Sequence, residues 1–270
     1  MTPTTSGYTD SAWGQVHYRR NGDAGPWVVL LHESPLSSEV YREVLPLLGR
    51  SVRAIAFDTP GYGASSPPPS DATEIPDYAR VLADAATALG VERPVLAGVH
   101  TGASIAIELA HALDGGPAAL ALTGVALLTE EERAEYLAGW TPPVPFDLEG
   151  SQFAWAVERY RRIWPGLTTE MLHLAVIELL RTGESYDWAY RAAFRHDPAE
   201  PLRTAPGRVL LLDPEFDLLA DKDAVAMRIR PDAELVVMPG LRGQPHLRDP
   251  EAYTAALVRL AERTHDRDAS

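Results

Sequence analysis

Residues 95–103 read VLAGVHTGA, and this stretch decides the fold. An apolar run ends at His100, which has Gly98 and Gly102 two residues to either side. Flanking glycines permit a sharp strand-to-helix turn, because the central residue takes a strained backbone and its neighbours must lack bulk. We therefore predict a strand, a tight elbow centred on His100, and a helix over Ala103–Leu113.

Short apolar runs alternate with helical patterns on both sides of this elbow, which is typical of an α/β fold with a mostly parallel sheet. The predicted strands are Gln15–Arg19, Trp27–His32, Val52–Phe57, Val95–Val99, Gly124–Leu128, Arg208–Leu212 and Glu234–Met238. The predicted helices are Glu39–Leu48, Ile75–Leu89, Ala103–Leu113, Ala224–Arg230 and Ala252–Glu262. Helices are expected on both faces of the sheet.

The alternation stops after Leu128 and resumes at Arg208, and the stretch between them is helical in pattern and rich in aromatic residues. We predict an α/β core over residues 1–128 and 203–270, with a helical cap inserted over 129–202. Most of the aromatic side chains hold such a cap together. Because pockets form beneath inserted caps, we expect some to bind substrate. The candidates are Trp140, Trp155 and Trp164.

Composition limits what the chain can do. Of its 270 residues, 46% are apolar and 23% are charged, and no apolar run approaches the ~18 residues that would span a membrane. Met1–Asp10 lacks a basic segment followed by an apolar one, so we expect no secretory signal and a cytoplasmic location. The absence of cysteine excludes disulfides and thiolate catalysis. A net charge of −14 would repel nucleic acid.

Two further loops follow strands whose carboxyl ends should meet at the same edge of the sheet. The first is HESP at 32–35, and the second is DTPGYGAS at 58–65. Together with the elbow, they resemble the α/β-hydrolase superfamily, and more narrowly the capped group of haloalkane dehalogenases, epoxide hydrolases and small esterases. The resemblance covers roughly Val16 to Leu260.

The resemblance implies a role for each loop. It places the nucleophile at His100, one oxyanion amide at Thr101 and a second at Ser34. Two departures stand out, because His100 replaces the usual Ser or Asp, and Glu33 replaces the usual Gly. The chain is therefore not expected to act as a conventional serine hydrolase.

The family's catalytic acid and base lie in later loops. Asp217 matches the acid best, with Asp213 and Glu215 as alternatives. Counting along residues 239–251 places the family's catalytic histidine at Gly243, whereas His246 matches a second, non-catalytic histidine. The usual triad base is therefore missing from its expected position.

These paired changes support three hypotheses. In the first, His100 fills the volume left at Gly243 and bonds Asp217, which fixes the tautomer and raises the basicity of the imidazole. Because a free imidazole already titrates near ~6.5, such a dyad can act as a general base that activates water or removes a substrate proton. In the second, catalysis is lost and the cavity only binds a ligand. In the third, the triad is relocated to make an esterase or epoxide hydrolase. His246 would then act as the base, or Ser34 or Ser104 as the nucleophile, although a hydrogen bond from Ser104 to a helix carbonyl is the simpler expectation.

Glu33 and His32 each have more than one interpretation. Glu33 is either a catalytic acid or base beside His100, or a carboxylate paired with an arginine. His32 is expected to order its loop. We assign the catalytic role to His100, Asp217 and Glu33, and the oxyanion or substrate-binding role to Ser34, Thr101, His246 and the three tryptophans.

The sequence predicts an enzyme that acts on a small hydrophobic or polyaromatic metabolite by His-centred acid–base chemistry. The step is either hydrolysis by activated water or a lyase, cyclase or isomerase reaction. No metal-ligand spacing, phosphate loop or dinucleotide motif is found, so no metal or cofactor is expected. The expected partner is a small molecule rather than nucleic acid or a membrane, and a homodimer is left open.

Overall fold

The computed structural model describes residues 3–268, so residues 1, 2, 269 and 270 of the predicted core lie outside the described residues. The strands found there are β1 Thr5–Ser11, β2 Gly14–Asn21, β3 Trp27–Leu31, β4 Arg53–Phe57, β5 Val95–Val99, β6 Ala119–Thr123, β7 Arg208–Pro214 and β8 Glu234–Met238. They form one sheet in the order β1-β2-β4-β3-β5-β6-β7-β8. The strands from β4 to β8 in that order pair parallel. Strand β2 pairs antiparallel with both β1 and β4, so within the described residues it is the strand that runs in the opposite direction.

Helices connect the strands and cover both faces of the sheet. The helices are α1 Val44–Leu48, α2 Ile75–Ala88, α3 Thr101–Ala112, α4 Glu130–Gly139, α5 Ser151–Ile163, α6 Thr169–Arg181, α7 Trp188–Arg195, α8 Ala199–Thr204, α9 Asp223–Ile229, α10 Pro245–Arg248 and α11 Pro250–Asp268. One apolar cluster contains the buried residues of α2 and α3, and another contains those of α1 and α11. Because both faces are covered, β5 and β6 are buried along their whole length.

Helices α4 to α8, called here the inserted helices, lie between β6 and β7. The predicted cap over residues 129–202 falls on this segment. A capping box begins α4, in which the Thr129 hydroxyl accepts from the Glu132 amide and the Glu132 side chain accepts from the Thr129 amide. The division of the chain into core and cap stays a prediction.

The structure corrects three predicted elements. The strand predicted at Gly124–Leu128 is wrong, because the strand is Ala119–Thr123 and Gly124, with φ +62°, ends it. Strand β1 was missed because it is a largely exposed edge strand without an apolar face. The helix predicted over Glu39–Leu48 is a 3₁₀ turn at Ser38–Tyr41 followed by the short α1.

Candidate active site

His100 occupies a strained elbow between β5 and α3. Its backbone has φ 48° and ψ −110°, which is unusual for a residue with a side chain. A Cβ on Gly98 would lie 2.3 Å from the Gly102 carbonyl oxygen, and one on Gly102 would lie 2.1 Å from the Leu31 carbonyl oxygen. The chain therefore needs glycine at both flanks, as the elbow pattern predicts.

His100 contacts Asp217 directly. His100 Nε2 lies 3.0 Å from Asp217 Oδ2 and 3.2 Å from Oδ1, and Asp217 Oδ1 also accepts from the Leu219 amide at 2.9 Å. This is the contact that the dyad hypothesis expects. Because Asp217 occupies Nε2, Nδ1 is the ring nitrogen left for a ligand.

The charges around His100 change its expected titration. Burial disfavours the imidazolium, but the Asp217 carboxylate outweighs this by charge and hydrogen bonding and, helped by Glu33, raises the pKa of His100 to about 9. The charge of His100 in turn holds the pKa of the buried Asp217 below its ordinary value. The resting form at neutral pH is therefore an imidazolium–carboxylate pair.

Asp213 and Glu215, the two alternative candidates for the catalytic acid, bond backbone amides instead of His100. Asp213 is buried and accepts from the Gly124 amide at 2.6 Å, and burial raises its pKa. Glu215 accepts from the Gly240 amide at 2.8 Å. Of the three acids, only Asp217 forms a hydrogen bond with His100.

Gly243 adjoins the same carboxylate. A Cβ built on Gly243 would lie 3.4 Å from Asp217 Oδ2, and the residue lines the cavity. A side chain at this position would therefore stand beside the acid. The position that would hold the family's base contacts Asp217 but carries no imidazole, and His100 makes that contact instead.

A cavity of about 490 Å³ lies between the strand ends and the inserted helices. The predicted residues at its floor are Glu33, Ser34, His100, Thr101 and Asp217. Its walls combine aliphatic and aromatic side chains, and the aromatic ones include Tyr136, Trp140, Trp164, Tyr190 and Phe194. The predicted sites at Trp140 and Trp164 thus line the cavity.

Trp155 and His246 do not line this cavity, which corrects two predicted binding residues. Trp155 packs inside the inserted helices, with its ring 5.9 Å from that of Tyr186. His246 is fully buried between Tyr41 and Tyr253. Sequence spacing located both residues near the site but could not show which way their side chains face.

Both predicted oxyanion amides are available. Ser34 and Thr101 line the cavity, and neither backbone N–H has a hydrogen-bond partner within residues 3–268. The Ser34 hydroxyl forms no hydrogen bond with a histidine in that part of the chain. Ser104 is fully buried and its hydroxyl has no hydrogen-bond partner among the described residues, so the helix-carbonyl bond expected for it is wrong.

Glu33 is buried against His246 rather than paired with an arginine. Its Oε2 lies 3.5 Å from His246 Nε2, and among the described residues no arginine nitrogen lies within 4.0 Å of its carboxyl group. Burial raises the pKa of Glu33 to about 7, against the opposing charge of His100. Burial lowers the pKa of His246 to about 3 and keeps it neutral. The arginine-paired alternative for Glu33 is therefore wrong.

His32 orders its loop, as expected. Its Nδ1 donates to the Glu33 carbonyl oxygen at 2.9 Å, and its Nε2 accepts from the Thr59 amide at 2.9 Å. The ring thus ties the HESP loop to the loop after β4. This bond holds Glu33 and Ser34 at the cavity floor.

We predict that Glu33→Gln stabilises the fold at pH 8 but not at pH 4. A carboxyl group whose pKa rises from 4.5 to about 7 on folding lowers stability as pH increases through that window, and the loss levels off above about 7. Removing the charge should restore on the order of 3 kcal/mol of unfolding free energy at pH 8. Denaturant unfolding at pH 4 and at pH 8 measures this change in the free energy of unfolding. Exposed Glu135→Gln is the control, and an equal gain at both pH values would contradict the titration.

The sequence analysis missed one residue that shapes the site. Gly124 lies against the dyad, and a Cβ there would stand 2.3 Å from His100 Cδ2. A glycine directly after an apolar strand was the available signal. It was missed because the strand was predicted at Gly124–Leu128, whereas it lies at Ala119–Thr123. Its effect on His100 depends on contacts between β5, β6 and β7.

A strained elbow at the end of a central parallel strand, below helices inserted after the next strand, defines an α/β-hydrolase-fold protein. A model of the alpha/beta hydrolase family matches residues 28–256, and the chain belongs to that family.

Proteins similar to this chain are named for several different enzymatic activities. The chain is 32% identical over 110 residues to haloalkane dehalogenase 2 of Mycobacterium tuberculosis, a match that spans 41% of this chain and 38% of that protein. An epoxide hydrolase from Vigna radiata superposes with a TM-score of 0.78 at 18% identity, covering 96% of this chain and 98% of that one. The enol-lactonase from Burkholderia xenovorans gives 0.78 at 17%, with 95% and 100% covered. These structural likenesses show the fold.

No helix within residues 3–268 has the length and apolar character needed to cross a membrane.

Proposed function

We propose that this chain is an enzyme that performs acid–base chemistry at His100 on a small apolar metabolite, without an acyl-enzyme at the elbow. The observation that carries the proposal is the contact of 3.0 Å between His100 Nε2 and Asp217 Oδ2 at the floor of an aromatic cavity. The central residue of the elbow carries no hydroxyl, and the neighbouring Gly243 offers no base. Chemistry at this floor therefore falls to the imidazole.

The resting imidazolium makes His100 a proton donor first. Its free Nδ1 would donate to an oxygen of the substrate, while Asp217 stabilises the charged ring and fixes its orientation. The neutral imidazole that remains would then recover a proton from water or from the substrate. This order reverses the water-activating first step of the dyad hypothesis, because the raised pKa leaves little free base at neutral pH.

Two other floor groups support this step. The amides of Ser34 and Thr101 would donate to negative charge that develops on the substrate oxygen. Glu33 raises the proton affinity of His100 through its charge, and this is the role we assign to it. A carboxylate near the oxyanion amides opposes a full tetrahedral oxyanion, so a protonated intermediate is favoured over an acyl-enzyme.

The pH dependence of kcat/KM tests the proposal. If the imidazolium form of His100 is required, kcat/KM should fall as pH rises through about 9. Above that value it should fall tenfold for each pH unit. The substrates to screen are haloalkanes, epoxides and enol lactones, the classes on which the relatives' names report. A fluorophosphonate probe should label no serine, and labelling at Ser34 or Ser104 would instead indicate a relocated triad. Saturable binding without turnover would make the chain a binding protein.

A further inference from the structure

The charged residues of the cavity are segregated along its length. Glu33, His100 and Asp217 lie at the floor, where the strand ends meet. Arg162 and Arg242 line the cavity on the side of the inserted helices and the loop after β8, and both are exposed. The walls between the two ends combine aliphatic and aromatic side chains. A ligand in this cavity therefore meets Glu33 and the His100–Asp217 pair at the buried floor and two guanidinium groups at the exposed rim.

Neither of these two arginines is neutralised by a nearby acid. Among residues 3–268, no carboxylate oxygen lies within 4.0 Å of the guanidinium of Arg162 or Arg242. The Arg242 guanidinium carbon lies 5.5 Å from the centroid of the Phe216 ring, which also lines the cavity. In a chain of net charge −14, the rim of the cavity is thus locally basic.

A third arginine lies one layer behind the wall. Arg159 is only 3% exposed, and its Nη1 donates to the Trp140 carbonyl oxygen at 2.9 Å. Its guanidinium lies 5.8, 5.7 and 5.8 Å from the rings of Trp140, Trp155 and Tyr186. Its Nε and Nη2 have no hydrogen-bond partner within residues 3–268.

The buried charge of Arg159 lacks an anion. No carboxylate in the described part of the chain lies within 4.0 Å of it, although burying a charge without a partner is strongly unfavourable. The aromatic rings offset part of this cost. Because the surroundings are apolar, the remaining field is weakly screened and extends through Trp140 into the cavity. Arg159 and Arg162 are three residues apart and lie on neighbouring positions of α5.

We infer that the cavity takes an apolar molecule with a terminal carboxylate, which lies at the arginine end while the reacting group meets His100. The inference rests on the proposed function, since it names the substrate class of the same site. At the arginine end the ligand carboxylate would meet two guanidinium groups that have no acidic partner, whereas at the floor it would meet Glu33 and an imidazolium already paired with Asp217. A singly charged carboxylate suits aromatic walls better than a doubly charged phosphate, whose desolvation costs more.

Matched probes test the charge preference. We would titrate the protein with 4-phenylbutyrate and with its neutral amide, 4-phenylbutanamide, by calorimetry. The carboxylate should bind at least about tenfold more tightly than the amide, and added salt should reduce that ratio because the exposed arginines are screened. Equal affinities, or no saturation by the carboxylate at about 10 mM, would overturn the inference.

Variants assign the effect to each arginine. Arg162→Met and Arg242→Met should each reduce the preference about two- to fivefold, which is typical of exposed charges. Arg159→Met should reduce it about tenfold, and Arg159→Lys should keep most of it, which separates charge from loss of folding. Arg161→Met, exposed on the same helix but outside the cavity lining, is the control. An equal effect of Arg161→Met would contradict the assignment.

The two proposals fail differently. The titrations are repeated in His100→Ala, where the carboxylate preference should persist because it does not depend on turnover. If turnover proves independent of His100 while the preference remains, the proposed function is wrong and the inference stands. If His100-dependent turnover persists while both probes bind equally, only the inference is wrong.

Discussion

Replacing His100 with alanine should lower kcat about 10²- to 10⁴-fold on any substrate that the protein turns over, which is the usual contribution of a positioned acid or base. The imidazole is the only group at the elbow that both bonds Asp217 and lines the cavity. Steady-state kinetics of the purified variant measure the effect. The Asp217 carboxylate would then be left buried without its partner, so unfolding is measured alongside.

Two further variants control this result. His100→Ser should not restore activity, because Gly243 provides no base to activate the hydroxyl. His111→Ala removes an exposed imidazole from the same helix, one that bonds the Pro201 carbonyl, and should leave kcat unchanged. If His100→Ala retained the full rate, the His-centred mechanism would be excluded.

Gly124→Ala should lower kcat about 10²-fold or more without removing any catalytic group. The added Cβ would lie 2.3 Å from His100 Cδ2, 2.7 Å from His100 Nε2 and 3.0 Å from Asp217 Oδ1. The ring must therefore move, and displacements of about 1 Å at reacting groups cost this much. The pH profile of the residual activity should also shift, because the contact that raises the pKa of His100 is weakened.

Gly90→Ala is the matched control for this variant. Gly90 also has a positive φ, of +69°, but nothing lies within 4 Å of a Cβ built there. It therefore reports the backbone strain alone, about 1–2 kcal/mol for a residue with a side chain. Equal kinetics for Gly124→Ala and the unsubstituted protein would show that the dyad geometry does not limit the reaction.

Much of the fold follows from local sequence. Glycines around His100 predict the elbow because only glycine permits the contacts with Leu31 and within the turn. Buried parallel strands such as Trp27–Leu31 appear as apolar runs between helical patterns. The strand Ala119–Thr123 was missed because alanine has little strand preference, and its place is set by pairing with β5 and β7.

The residues of the site could be predicted from the sequence more fully than their contacts and protonation states. The positions of His100, Asp217, Ser34 and Thr101 follow strand ends, and strand ends meet at one edge of a parallel sheet. Spacing favoured Asp217 over Asp213 and Glu215 as the acid, but its contact with His100 required coordinates, because a shift of two residues in a loop turns a side chain elsewhere. The burial of His246 and the packing of Trp155 away from the cavity also depend on contacts between distant segments.

By itself, the sequence determined that a histidine lies between two glycines where an apolar run ends, and it predicted an α/β-hydrolase elbow there and a glycine at the position of the base. Those facts reside in residue identity and in spacing along the chain. Only the tertiary structure decided that His100 meets Asp217, that its pKa rises to about 9, and that Glu33 is buried beside His246. Electrostatic shifts depend on distance and burial between residues far apart in sequence, which no local pattern encodes.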